Sequence, residues 1–210
     1  MPSKLMVCIP QFDHTVKGAC AESVGNAIDH AESAGLLDSV THRYPRGYGI
    51  ARARNYMAQW AIEAGCDHVL MVDSDIVLPR AAISDLLSDD LEVALGYYVR
   101  GSSEDGTTNV VKLESGGYAN SYKAHELSSM REPVRVKAGG FGCAMVNVDV
   151  SRRFKRPWFV YHDFADGSGL SEDYDFCNKC RSSGVSVWVD PRVGCGHIHD
   201  RVLEVTKWQR

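Results

Sequence analysis

No run of apolar residues in the 210-residue sequence approaches the roughly 20 that a membrane-spanning helix requires. The amino-terminal apolar stretch, residues 5–9, ends at Pro10, which is too short for the core of a secretory leader. A soluble, cytoplasmic protein is therefore expected. Basic residues are outnumbered, 23 Lys and Arg against 27 Asp and Glu, and the formal net charge of −4 argues against the clustered basic face that nucleic acid demands. Cysteine is neither dense nor even in number. The seven thiols read as free groups in a reducing compartment rather than a disulfide framework. Repeats, low-complexity tracts and linkers are absent, and no lysine-bearing G-x-x-x-x-G-K loop is present to cradle phosphate. With 44% hydrophobic and 24% charged residues, the composition fits one globular domain over residues 1–210.

What is present alternates in period. A short β-rich run at residues 4–9 is followed by apolar positions Val24, Ala27, Ile28 and Ala31 at helical spacing in 20–34, closed by Gly35. A strand at 39–42 precedes a helix over 50–64 that carries Met57, Trp60 and Ala61 on one face and stops at Gly65. Residues 68–72 form an apolar run flanked by helices, the pattern of a central strand. Pro79 is expected to open a helix through residue 87, and a buried strand follows at 91–98. The second half is less regular: a hairpin across 109–113, a turn-rich stretch to 130, strands at 134–137 and 143–148, and a short helix at 150–155. A loop at 161–170, a helix at 172–182 and a strand at 185–189 follow. The alternation predicts an α/β fold with a mixed, mostly parallel sheet flanked by helices.

The central strand empties into Asp73-Ser74-Asp75. In an extended segment alternate side chains share a face, so the two carboxylates are expected to project together from the carboxyl edge of the sheet, where open α/β sheets bind ligands. Hard carboxylate oxygens suit Mg²⁺ or Mn²⁺, which characteristically share their coordination with substrate phosphates. An N-cap or turn before the next helix is the structural alternative.

Five segments then occur in a telling order: YGIARARN at 48–55, HVLMVDSDIVLP at 68–79, GGFGCAMV at 139–146, SEDYDFC at 171–177 and GHIH at 196–199. The set resembles nucleotide-sugar glycosyltransferases of the A-type, Rossmann-like fold, close to the family 2-like enzymes and their small viral and phage relatives. The resemblance covers most of the chain. It implies transfer of a sugar from a nucleotide diphosphate donor, UDP by family frequency, to a hydroxyl of a glycan or other acceptor, with Mn²⁺ or Mg²⁺ as cofactor.

By the same resemblance, Pro10, Gln11 and Asp13 would lie beside the base, and Arg52, Arg54 and Asn55 would border base and diphosphate. Ser74 would belong to the donor site, with Asp73 contacting ribose or metal. Asp75 and His197 would be metal ligands, with His199 the lesser candidate. Gly140 and its neighbouring glycines would let backbone approach the sugar, with Phe141 or Trp158 stacking on it. Asp173 would be the general base of an inverting reaction, Glu172 a positioning acid, and Asp175 a poorer base. The basic cluster Arg152, Arg153, Lys155 and Arg156 reads as a solvated helix end, with a membrane or anionic acceptor as its other reading.

Three rivals are set against this one. Sugar-1-phosphate nucleotidyltransferases share the fold, but normally carry a glycine-rich basic loop where residues 8–13 have none. Cys177, Cys180, Cys195 and His197 match the residue types of a structural zinc site. A binding module that has lost its chemistry is the third.

Overall fold

The computed structural model describes residues 1–11, 15–101, 105–114 and 120–199, and the backbone of 202–203. The first half runs β1 (Ser3–Cys8), α1 (Gly18–Ser33), β2 (Leu37–Arg43), α2 (Ile50–Glu63), β3 (His68–Val72), β4 (Ile76–Val77), α3 (Ala82–Ser88) and β5 (Val93–Tyr97). There follow β6 (Thr107–Lys112), β7 (Ser121–Lys123), α4 (Ala124–Ser128), β8 (Val134–Gly139), β9 (Cys143–Asn147) and a 3-10 turn (Val148–Arg152). The chain continues with β10 (His162–Asp163), β11 (Gly169–Leu170), α5 (Glu172–Ser182), β12 (Val187–Gly194), β13 (Gly196–Ile198) and β14 (Val202–Leu203).

Nine strands form one sheet in the order β2-β1-β3-β9-β5-β12-β8-β6-β7. β1 pairs in parallel with β2 and β3, and β5 with β12, while β9 enters antiparallel between β3 and β5. The fold is α/β with a mixed sheet. Strict alternation along the strands supplies both faces: Leu5, Val7, Leu70, Val72, Ala94 and Met145 meet α1 and α3. Met6, Cys8, Val69, Met71, Leu95 and Ala144 meet α2 and α5 on the other side. Both faces being covered is why these strands read as continuous apolar runs. Among the described residues no helix is long and apolar enough to cross a membrane.

From β1 the chain winds outward to β2, then crosses back to lay β3 on the opposite flank of β1. The β1/β3 boundary is therefore the point where the strand order reverses, and ligands of open α/β sheets bind outside the carboxyl ends of the strands at such a point.

Several expectations are corrected by the structure. Pro79 does not open α3. Its carbonyl accepts from the Ala82 amide in a turn, and the helix starts at Ala82. Residues 73–75 are not extended: the Ile76 amide donates to the Asp73 carbonyl at 3.0 Å, closing a turn before the short β4. The turn-rich stretch before residue 130 contains α4, and the expected helix at 150–155 is the 3-10 turn Val148–Arg152.

Candidate active site at the switch point

A cavity of about 370 Å³ opens at the β1/β3 switch, lined by Pro10, Ile50, Arg54, Asp73, Ser74, Asp75, Glu172 and Asp173. Its contributors come from the end of β1, the first turn of α2, the turn after β3 and the amino end of α5. The amino end of a helix is also where backbone amides favour anionic groups, which suits the acids of α5's first turn.

The floor is organised by Arg54, whose side chain is 3% exposed. One terminal nitrogen pairs with Glu172 and stands 3.7 Å from Asp173 Oδ2, and the other donates to Asp73 at 3.1 and 3.3 Å. Burial works against the guanidinium charge, but the carboxylates of Asp73, Asp173 and Glu172 outweigh it and hold the arginine protonated. Its Nε has no hydrogen-bond partner among the described residues. Arg54 is thus the hub of three carboxylates, not a fork extended toward solvent phosphate. Burial raises Asp73 and Glu172 above the usual carboxylate range despite that pairing.

Asp75 faces a different partner. β13 pairs antiparallel with β4, His197 opposite Ile76, and the Ile198 amide donates to the Asp75 carbonyl at 2.8 Å. This register brings His197 Nε2 to 3.6 Å from Asp75 Oδ2, an ion-pair distance rather than a hydrogen bond. His197 Nδ1 lies 3.0 Å from the Val99 carbonyl, which fixes the proton on that nitrogen in the neutral ring and leaves the Nε2 lone pair toward Asp75. The facing imidazole more than offsets the burial that raises Asp75, so that carboxyl sits below its usual range, and Asp75 in turn raises His197 against burial.

This pair fits a hard divalent cation. Two donors sharing an ion with bonds of about 2.1 Å stand roughly 3 Å apart at right angles, close to the observed separation. Among the described residues no three His, Cys, Asp or Glu side chains converge to hold a metal ion. Asp73, expected to share that ion, is instead engaged by Arg54.

Asp173 lines the cavity, its Oδ2 3.7 Å from Arg54, while its Oδ1 accepts from the Ser171 hydroxyl and from the Tyr174 amide at 2.8 Å. Glu172 is nearly buried against Arg54. Asp175 turns away and accepts from the Val160 amide at 3.1 Å and from Lys179 at 2.6 Å, with His162 Nε2 at 3.0 Å.

Other sequence expectations find different places. Gln11 is buried and accepts from Arg46 at 2.8 Å, bracing the loop after β1. Asp13 lies outside the described residues. Arg52 is exposed and lines a neighbouring cavity, its guanidinium over the rings of Tyr48 and Tyr56. Asn55 is used within the protein: its amide donates to the Ala51 and Phe159 carbonyls and accepts from the Trp158 amide, pinning that segment to α2. Trp158 is a core residue, donating from its indole to the Ser151 carbonyl at 2.6 Å, and Phe141 is fully buried against Phe159 and Phe176. Neither is free to stack on a sugar.

The space beside Gly140 and Gly142 is taken by Tyr98, which sequence reasoning missed because an aromatic at a strand end reads as ordinary core. A methyl on Gly140 would stand 2.6 Å from the Tyr98 hydroxyl, and one on Gly142 2.8 Å from its ring. Burial and the carboxylates of Asp73 and Asp173 hold the Tyr98 phenol neutral, well above its ordinary pKa.

The cysteine–histidine zinc reading is overturned. Cys177 and Cys180 belong to the apolar core on one face of the sheet and Cys195 to the core on the other. All three thiols are raised, Cys177 (to about 12) and Cys180 by burial and Cys195 by its contact with Cys143 and by burial, which disfavours the thiolate a metal needs.

No family model and no curated protein matches the chain. Among solved structures it is similar to A197 from STIV, at 16% identity over 97% of this chain and 91% of that one, with a TM-score of 0.63. It is less similar to a Drosophila β-1,4-galactosyltransferase 7 variant in complex with manganese, UDP-Gal and xylobiose, at 15% identity over 94% of this chain and 71% of that one, TM-score 0.49. It is also less similar to the inositol-1-phosphate CTP transferase from T. maritima, at 10% identity over 90% of this chain and 85% of that one, TM-score 0.47. The likeness to A197 is a shared α/β fold.

Proposed function

We propose that the chain is a glycosyltransferase that binds a nucleotide diphosphate sugar in the cavity at the β1/β3 switch, together with Mn²⁺ or Mg²⁺. One observation carries this reading. The five sequence segments that resemble A-type glycosyltransferases meet at one place: Arg54, Asp73 to Asp75, Glu172 and Asp173 line the cavity, Gly142 accepts from the Asp73 amide, and His197 faces Asp75. Segments up to about 150 positions apart would have no reason to converge on a cluster of acids at a ligand crevice if each were only a turn or cap.

Asp75 and His197 would hold the cation, whose charge neutralises the diphosphate as it leaves. Arg54 fixes the mutual positions of Asp73, Glu172 and Asp173. Asp173, which lines the cavity and has one oxygen anchored by Ser171 and the Tyr174 amide, would take the proton of the acceptor hydroxyl in an inverting transfer. In a retaining transfer it would only orient the acceptor.

The test is a thermal-shift screen of UDP-, GDP-, CDP- and dTDP-sugars with and without Mn²⁺, followed by a donor-hydrolysis assay on the stabilising class. The reading requires Mn²⁺-dependent stabilisation by one nucleotide series, with UDP-sugars first, and release of the nucleoside diphosphate. Stabilisation without turnover would make the chain a binding module. Turnover only of a nucleoside triphosphate with a sugar phosphate would make it a nucleotidyltransferase.

A further inference from the structure

A second cavity, of about 400 Å³, lies on the next face of α2's first turns, lined by Ala51, Arg52, Asn55, Tyr56, Arg156 and Phe159 among others. It adjoins the acidic cavity directly, since Ile50 and Arg54 face one and their chain neighbours Ala51 and Asn55 face the other. Its character is opposite. Arg52 is exposed, with Tyr48 at 4.8 Å and Tyr56 at 5.6 Å from its guanidinium carbon, and no carboxylate among the described residues pairs with it. Arg156 sits over the Trp158 ring at 5.1 Å and donates to Gln59, again without a carboxylate partner.

The contrast within the basic cluster is informative. Arg152 pairs with Asp149 and Arg153 with Glu92, so those charges are neutralised on the surface. Of the three arginines Arg156 alone lines the cavity, as Arg52 does. In a protein of net charge −4, beside a site crowded with acids, two unneutralised guanidinium groups on one concavity mark selection for an anion. Apart from Asn55, the remaining lining is apolar or aromatic, with Tyr161 55% exposed. Its volume is that of a small-ligand pocket.

We propose that this cavity binds an acidic sugar unit of the acceptor, a uronate or a sugar phosphate, and holds it beside the acidic site through Arg52 and Arg156. The role as an acceptor site rests on the transferase reading above; the anion selectivity does not.

The test is calorimetric titration of the full chain at low salt with trigalacturonate, neutral galactotriose and galactose 6-phosphate. The same protein is tested in parallel with UDP-sugars and Mn²⁺ in the thermal-shift screen. Trigalacturonate or galactose 6-phosphate is expected to bind at least tenfold more tightly than galactotriose, and Arg52→Gln or Arg156→Gln to weaken that binding tenfold or more. The two acids separate a carboxylate-reading site from a phosphate-reading one. Equal affinity for neutral and acidic sugars, indifference to both substitutions, or no saccharide binding would overturn the proposal. So would Arg156-dependent binding to phosphatidylglycerol vesicles with no sugar bound. If the acid binds but no nucleotide does, the anion site stands and its acceptor role falls with the transferase. If nucleotide binds and no acid does, the transferase reading stands alone.

Discussion

Arg54 on α2 and Glu172 on α5, 118 positions apart, meet in a buried ion pair beneath the cavity, and the same guanidinium also holds Asp73. Removing one member of a buried charged set leaves the others uncompensated and characteristically costs roughly 3–5 kcal/mol. Arg54→Met should therefore lower the unfolding free energy by about that amount, measured by urea denaturation. A loss below about 1 kcal/mol would show that the carboxylates do not depend on this hub.

Asp173→Asn should lower the rate of sugar transfer by roughly 10²–10⁴-fold, because it removes a proton acceptor while keeping the shape. Asp75→Ala is the companion variant and should abolish the Mn²⁺-dependent thermal shift. Steady-state transfer assays decide between base and bystander: a near-normal rate for Asp173→Asn would refute the base assignment.

Gly140→Ala should destabilise the fold by about 1–3 kcal/mol through overpacking, since its methyl would meet the Tyr98 hydroxyl. Tyr98→Phe removes that oxygen and should recover much of the loss, and it should rescue Gly142→Ala less, because that methyl meets two ring carbons at 2.8 Å as well as the hydroxyl. A double-mutant cycle read by thermal denaturation tests both arms; equal rescue at the two glycines would contradict the geometry.

His68 is held neutral by burial, its pKa lowered below 6.5, with Ser3 Oγ 2.8 Å from its Nδ1. The unfolded chain then binds more protons than the folded one between the lowered folded value and 6.5, so stability rises with pH across that window and is lost as pH falls through it. His68→Gln should flatten this part of the profile. An unchanged slope between pH 5 and 7 would assign it to other groups.

Thiol labelling should find one reactive cysteine in the native protein. Cys66 is half-buried while the other six are buried, and burial pushes Cys20 and Cys177 up to about 12. Titration with an aromatic disulfide should count one thiol in buffer and seven in urea. Several fast-reacting thiols in buffer would mean the core is looser than described.

Local pattern made much of this structure legible. β3 and α5 have the bounds their patterns predict, because an apolar run between helices and acids following Ser171 are strong local determinants. The five-residue α4 was invisible, since so short a helix completes little more than one turn and shows no period. Within the site, residue types pointed to the right crevice but not to partners. Arg54, Asn55 and Trp158 each carry polar groups that suit a ligand, yet all three are used within the protein by groups far away in sequence. Tyr98 was missed for the converse reason: nothing local distinguishes a strand-end tyrosine in the core from one that fills the space beside two glycines.

Asp175 also has a practical bearing. It fastens the Val160 amide and His162 to α5, while residues 163–168 beyond them are exposed and touch the rest of the molecule little. That hairpin is rooted on rigid ground and free at its tip. It is a place where sequence can be exchanged wholesale, by natural drift or by grafting, while leaving the packed core beneath it intact.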